Sequence, residues 1–169
     1  MDFLAWIENL PLSIWVRESG SLWAYPGILF MHTVGLGLVT GISAAVALRV
    51  LGVAREIPIA PLESFYRVLW LGFWVNAASG IALLMADATT KLVNPVFYVK
   101  MVFVALAMTV TIRLRHRLFG GSAPGSASGL RPLALATLFL WVGAITAGRL
   151  MAYLGPVSGA PGLSNSIGR

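Results

Sequence analysis

Between Ser19 and Leu48 the chain has no lysine, arginine, aspartate or glutamate. At about 1.5 Å of helical rise per residue, that stretch exceeds the roughly 30 Å of a bilayer's hydrocarbon layer. The stretch therefore reads as a transmembrane helix. Deep inside it, in WAYPGILFMHTVGLGLVTG from Trp23 to Gly41, stands His32, whose only titratable companion is Tyr25 at the mouth. Burying an imidazole in lipid without a partner is costly, so a histidine in this position is by default a functional-site hypothesis.

Three more apolar runs follow, and the spans read as about 22–51, 68–86, 96–112 and 133–153. With 58% hydrophobic and 11% charged residues and a mean hydropathy of +0.84, the expected fold is all-α: a polytopic membrane four-helix bundle. Residues 1–155 form one transmembrane domain, and the Gly-, Pro- and Ser-rich tail at 156–169 is expected to be disordered. The net charge of +6 does not point to nucleic acid, because the arginines lie between apolar spans, where loop charge sets topology. The absence of cysteine excludes disulfides, Fe–S clusters, thiolate zinc and a cysteine nucleophile. Asp2 and Glu8 stand where a cleavable signal peptide would be basic, so insertion is expected to rely on the spans.

Residues 2–20 place Phe3, Leu4, Trp6, Ile7 and Leu10 before Pro11, then Leu12, Ile14, Trp15 and Val16 before Arg17. This spacing predicts an N-terminal interfacial amphipathic segment in two short helical pieces, either a lid over the bundle or a simple anchor. In the first span, Gly37-x-x-x-Gly41 with Ala44 and Ala45 predicts a face for close helix approach. Gly35 lies on another side, leaving room for something bulky beside His32. In the second span Gly72, Asn76, Ser79, Gly80, Leu83 and Asp87 form one stripe, expected to face inward, with Asn76 either interhelical glue or a ligand. Asn94-Pro95 starts the third span, and Lys100 one turn inside either snorkels to the interface or pairs with a buried anion. GGSAPGSASG reads as a flexible connector to the fourth span, which ends near Gly148-Arg149.

Arg49, Arg55, Arg67, Arg113, Arg115, Arg117 and Arg131 fall on one side; Arg17, Lys91, Lys100, Arg149 and Arg169 fall on the other. The positive-inside rule then favours a bacterial inner-membrane protein with both termini periplasmic. Counted by helical rise, His32, Lys100, Arg149, Asp87, Asn94, Tyr98, Tyr153 and Arg17 occupy the same outer leaflet, as do Met31, Met85, Met101 and Met151. His116 lies sixteen residues beyond Lys100, about 24 Å along the helix, so the two histidines cannot share one metal. Two chemistries fit this layer. Haem b would take His32 as axial ligand, with Lys100, Arg149 or Arg17 meeting its propionates and Asn76 nearby. Copper(I) would instead use His32 with two or three of Met31, Met85, Met101 and Met151, although methionine in an apolar span is commonly plain packing. No acid–base pair, nucleophile elbow or phosphate loop is readable.

The run SLWAYPGILFMHTVGLGL, then ALRVLG, NPVFYVKMVFV and GRLMAY, resembles a family of small bacterial four-helix membrane proteins of unassigned function. The resemblance covers nearly the whole chain, except that Ala47 stands where that family has an acidic residue. More distantly, the early-span histidine and third-span lysine are similar to CopD-type copper-resistance proteins and to HemJ-type protoporphyrinogen oxidases, the latter haem-binding. By that likeness His32 matches the histidine position and Lys100 the lysine position. The leading expectation is a haem-b redox protein that passes electrons or oxidises a lipophilic substrate, with a periplasmic or membrane redox partner or as a homo-oligomer in the lipid bilayer. The alternatives are copper handling or transport, and a non-catalytic accessory subunit in which His32 and Lys100 only satisfy interhelical bonds and no cofactor is held.

Overall fold

The computed structural model describes residues 2–53, 55–120 and 127–153, all of whose long elements are helices. Two short helices, α1 (Asp2–Glu8) and α2 (Pro11–Glu18), precede α3 (Tyr25–Leu51). A 3-10 turn at Ala60–Ser64 leads into α4 (Phe65–Met85), and one helical turn, α5 (Ala88–Lys91), joins it to α6 (Pro95–Phe119). The last is α7 (Ala127–Tyr153). Four of these are long and apolar enough to cross a membrane, and the protein is a multi-pass membrane helical bundle. Phe30, Leu71, Trp74 and Phe139 are each at least 62% exposed. That is the outward apolar face a bilayer covers.

Local chemistry sets the ends. Pro26 occupies the first turn of α3, where its missing N–H breaks no helical bond. The other end of α3 closes on Gly52, whose φ of 101° lies in the left-handed region that glycine adopts without strain, while the Val53 N–H bonds back to the Leu48 carbonyl at 3.0 Å. Arg49 does more than mark topology there: its guanidinium donates to the carbonyls of Ile57 and Arg55, tying down the α3–α4 loop. The Asn94 side chain accepts from the Val96 N–H at 2.9 Å, capping α6 ahead of Pro95. Both α6 and α7 run past their apolar spans at this far end. Arg113, Arg115, His116 and Arg117 continue α6 because no breaker intervenes before Gly120, and α7 begins ahead of Pro132. The connector lies partly, and the tail at 156–169 wholly, outside the described residues.

The long helices pack in the order α4, α3, α7, α6, each against the next. The glycines that α3 and α4 press together are not Gly37 and Gly41, at which a Cβ would meet nothing within 4 Å. They are Gly35 and Gly72. A Cβ on Gly35 would stand 2.7 Å from both the Gly72 carbonyl oxygen and the Asn76 nitrogen. Gly35 therefore leaves no room for a bulky group beside His32; α4's backbone fills that side. The stripe from Gly72 does face the interior along α4, with Gly72 and Leu83 buried, and Asp87 follows just past the end of the helix. Between α6 and α7 the Phe103 ring covers Gly143, and the Trp141 indole donates to the Thr111 hydroxyl at 3.3 Å. At the far end α4 and α6 are tied together: Arg115 lies 5.3 Å from the Tyr66 ring centroid and 3.7 Å from Glu63, and Phe119 meets Tyr66 edge-on. At the near end, which carries α1, α2 and α5, the link to α4 comes from α5, whose Lys91 donates to the Leu83 carbonyl at 2.8 Å.

Candidate functional site

Where the near end is left unpacked, the four long helices enclose a cavity of about 770 Å³. α3 contributes Tyr25, Leu29 and His32; α4 contributes Gly80, Leu83 and Leu84, with Asp87 just beyond. Thr90 and Lys91 come from α5, Asn94, Phe97 and Lys100 from the start of α6, and Gly148 and Met151 from α7. Arg17 of α2 reaches in from above.

The imidazole of His32 is held from behind by α4. Its Nδ1 lies 3.0 Å from the Asn76 backbone carbonyl oxygen and 3.3 Å from the Ser79 hydroxyl. A carbonyl only accepts, so Nδ1 carries the proton and donates. Ser79 already gives its own proton to the Val75 carbonyl at 2.6 Å, which leaves its oxygen free to accept from the ring. Asn76 answers with its side chain, donating from Nδ2 to the His32 carbonyl oxygen at 2.7 Å. Gly80 makes the fit possible, since a Cβ there would come within 3.0 Å of the ring's Cε1. In the neutral ring a donating Nδ1–H leaves the lone pair on Nε2, which has no protein partner among the described residues. A carbonyl-anchored Nδ1–H with a free Nε2 is the tautomer and orientation that metal-binding or proton-accepting histidines share.

Three cations, Arg17, Lys91 and Lys100, share an otherwise largely apolar wall with His32. The Lys100 stem crosses Gly148, its Nζ 4.0 Å from where a Cβ would sit, and its ammonium has no anion or hydrogen-bond acceptor among the described residues. Lys91 donates to the Leu83 carbonyl at 2.8 Å, one of those left open by the end of α4, and lies 3.8 Å from Asp87. Burial pushes the Lys91 ammonium below its ordinary value, with Asp87 opposing the shift. Arg17 pairs with its neighbour Glu18 at 2.9 Å, but both are well exposed, so that pair neutralises little. Arg17, Lys91 and Lys100 against Asp87 leave the cavity with an excess of positive charge.

The fold thus brings His32, Lys100, Arg17 and Met151 to one cavity, with Asn76 behind the histidine instead of on the wall. Arg149 is not among them: α7 turns Gly148 inward, and the next residue, about 100° around the helix, is exposed. The methionine set is not assembled either. Met31 and Met101 are 44% and 47% exposed on outward faces, and Met85 lies off the cavity wall. Among the described residues no group of three His, Asp or Glu side chains is placed to hold a metal ion. Tyr98 is exposed and donates to the Leu92 carbonyl, and the side chain of Tyr153 is outside the described residues. Lys91 and Thr90 escape a reading of the sequence because the turn between two spans reads as solvated loop; the four-residue spacing of Asp87 and Lys91 was the one local sign of a helical turn there. No family model, curated protein or solved structure matches the chain.

Proposed function

We propose that the near-end cavity is a membrane-embedded binding site for an amphipathic anion with an apolar body, that haem b is this ligand, and that the protein serves in membrane redox chemistry. The observation that carries the reading is His32: Nδ1–H is committed to the Asn76 carbonyl, and Nε2 is left free on a wall that also bears Lys100, Lys91 and Arg17. His32 Nε2 would hold the iron, and Lys100 and Arg17 would meet the propionates. The bound group would supply one-electron transfer. Asn76 and Ser79 fix the ring's orientation and tautomer, Leu83, Leu84 and Phe97 exclude water, and Lys100 presents its side-chain nitrogen to the anion.

The donor set supports copper less well, because Met151 alone of the four methionines joins His32 at the cavity. An accessory-subunit reading has one observation in its favour: Asn76 and Ser79 bond His32 across two helices, as a purely packing histidine would be bonded. The visible spectrum of protein purified from haem-replete cells decides between them. The redox reading expects a Soret band that is lost in His32→Ala; a colourless protein from such cells supports the accessory reading.

We also propose that the near end faces the periplasm of a bacterial inner membrane. Lys91 and Lys100 are half-buried in the cavity and so act less as topology signals, whereas the arginines of the far end cluster in its loops and terminal helical turns. An alkaline phosphatase fused after Arg169 is expected to be active, and inactivity there with activity of a fusion in the α6–α7 connector would reverse the orientation.

A further inference from the structure

The two N-terminal helices do more than lie at the surface. α1 packs on α5 and α2 packs on α4, and α5 and the end of α4 are walls of the cavity. Ser13 and Val16 of α2 are fully buried, and the Ser13 hydroxyl donates to the Ile7 carbonyl at 2.7 Å, so α1 and α2 are fastened to each other. One contact fastens the pair to the bundle through a charge. Glu8 Oε1 accepts from both the backbone N–H and the hydroxyl of Thr89, each at 2.7 Å. These two bonds hold the Glu8 carboxyl below its ordinary range, with Arg17 adding to the effect. Arg17 closes the arrangement: it lines the cavity and lies within 3.5 Å of the Glu8 carbonyl oxygen. Opposite these attachments Phe3, Trp6, Leu12 and Trp15 are exposed apolar side chains, 44% or more, suited to the membrane interface when the pair is docked and when it lifts.

We infer that α1–α2 is a strap across the mouth of the cavity, latched by Glu8 onto Thr89, and that release of this latch admits and discharges the ligand. The strap regulates the site described above, but its existence does not depend on what that site binds. The absence of native cysteine makes the test clean. Met151→Cys places a thiol on the cavity wall and Val93→Cys a thiol on the exposed α5–α6 turn; each is reacted in detergent with a small charged maleimide. Adding Glu8→Ala is expected to raise the Met151→Cys rate about tenfold, the loss of a pair of bonds to a charged acceptor, and to leave the Val93→Cys rate unchanged. Thr89→Val, which removes only the hydroxyl half, is expected to give a smaller rise of about threefold. A Met151→Cys rate within twofold of its parent in both variants overturns the latch, as does an equal rise at Val93→Cys, which would mean general loosening. Neither outcome touches the haem reading, since no ligand is added.

Discussion

At the scale of single residues, the site turns on glycines as much as on charged groups. Gly35 and Gly72 stand where a Cβ would be pressed to 2.7 Å against a backbone carbonyl or a Cβ of the facing helix, atoms with little freedom to yield. Gly35→Ala and Gly72→Ala are each expected to lower stability by about 2 kcal/mol, whereas Gly37→Ala and Gly41→Ala should be neutral or slightly stabilising, because alanine is the better helix former. Thermal unfolding in one detergent checks all four, and equal losses would refute the assigned crossing. Asn76→Ala removes the amide clamp but not the backbone carbonyl that receives Nδ1–H, so a modest loss of about 1 kcal/mol is expected with the histidine still oriented. Gly80→Leu should keep the bundle folded while driving the ring out of place, lowering ligand binding by tenfold or more, roughly the cost of overpacking. The spacing of small residues was readable from the sequence; which of them meet a neighbour was not, because rotation of a helix about its axis is decided by all its partners together. Gly35 and Gly37 differ by two positions, about 200°, and only one of them faces α4.

Elements were more legible than contacts. The uncharged runs declare the four long helices, Asn94-Pro95 declares a start, and counting rise along those helices places His32 and Lys100 at one depth. Where the chain continues helical beyond the lipid, as α6 does to Phe119, hydropathy has nothing to report. The docking of α1 was out of reach because Glu8 and Thr89 are 81 residues apart and each looks like an ordinary surface residue alone. That contact carries its own pH dependence. A carboxyl whose folded value is depressed contributes stability above its unfolded value of 4.5 and loses it as pH falls through the lower, folded value. Acidification through that window is therefore expected to loosen α1 while the long helices persist. Increased proteolysis at residues 9–10 below pH 4.5 in wild type, already present at neutral pH in Glu8→Ala, would show it; a pH-independent cleavage rate would contradict it.

Across the whole molecule, the bundle is closed at one end and hollow at the other. Far-end contacts of Tyr66 with Arg115 and Phe119 seal α4 to α6, while near the termini the same helices part around a cationic cavity of about 770 Å³ capped by α2. Among the described residues the Lys100 amine has no anionic partner in this place, and the desolvation cost of a cation there is one that a bound anion offsets. Lys100→Gln and Arg17→Gln are each expected to weaken anion binding by about three- to tenfold, and Arg149→Gln, exposed and off the wall, to leave it unchanged. The most direct measurement is titration of the apoprotein in detergent with ferric haem, followed at the Soret band, for wild type and His32→Ala side by side. One-to-one saturation is expected in wild type, with a band of free or nonspecifically bound haem in His32→Ala. Identical titrations of the two proteins would rule out His32 as the haem ligand.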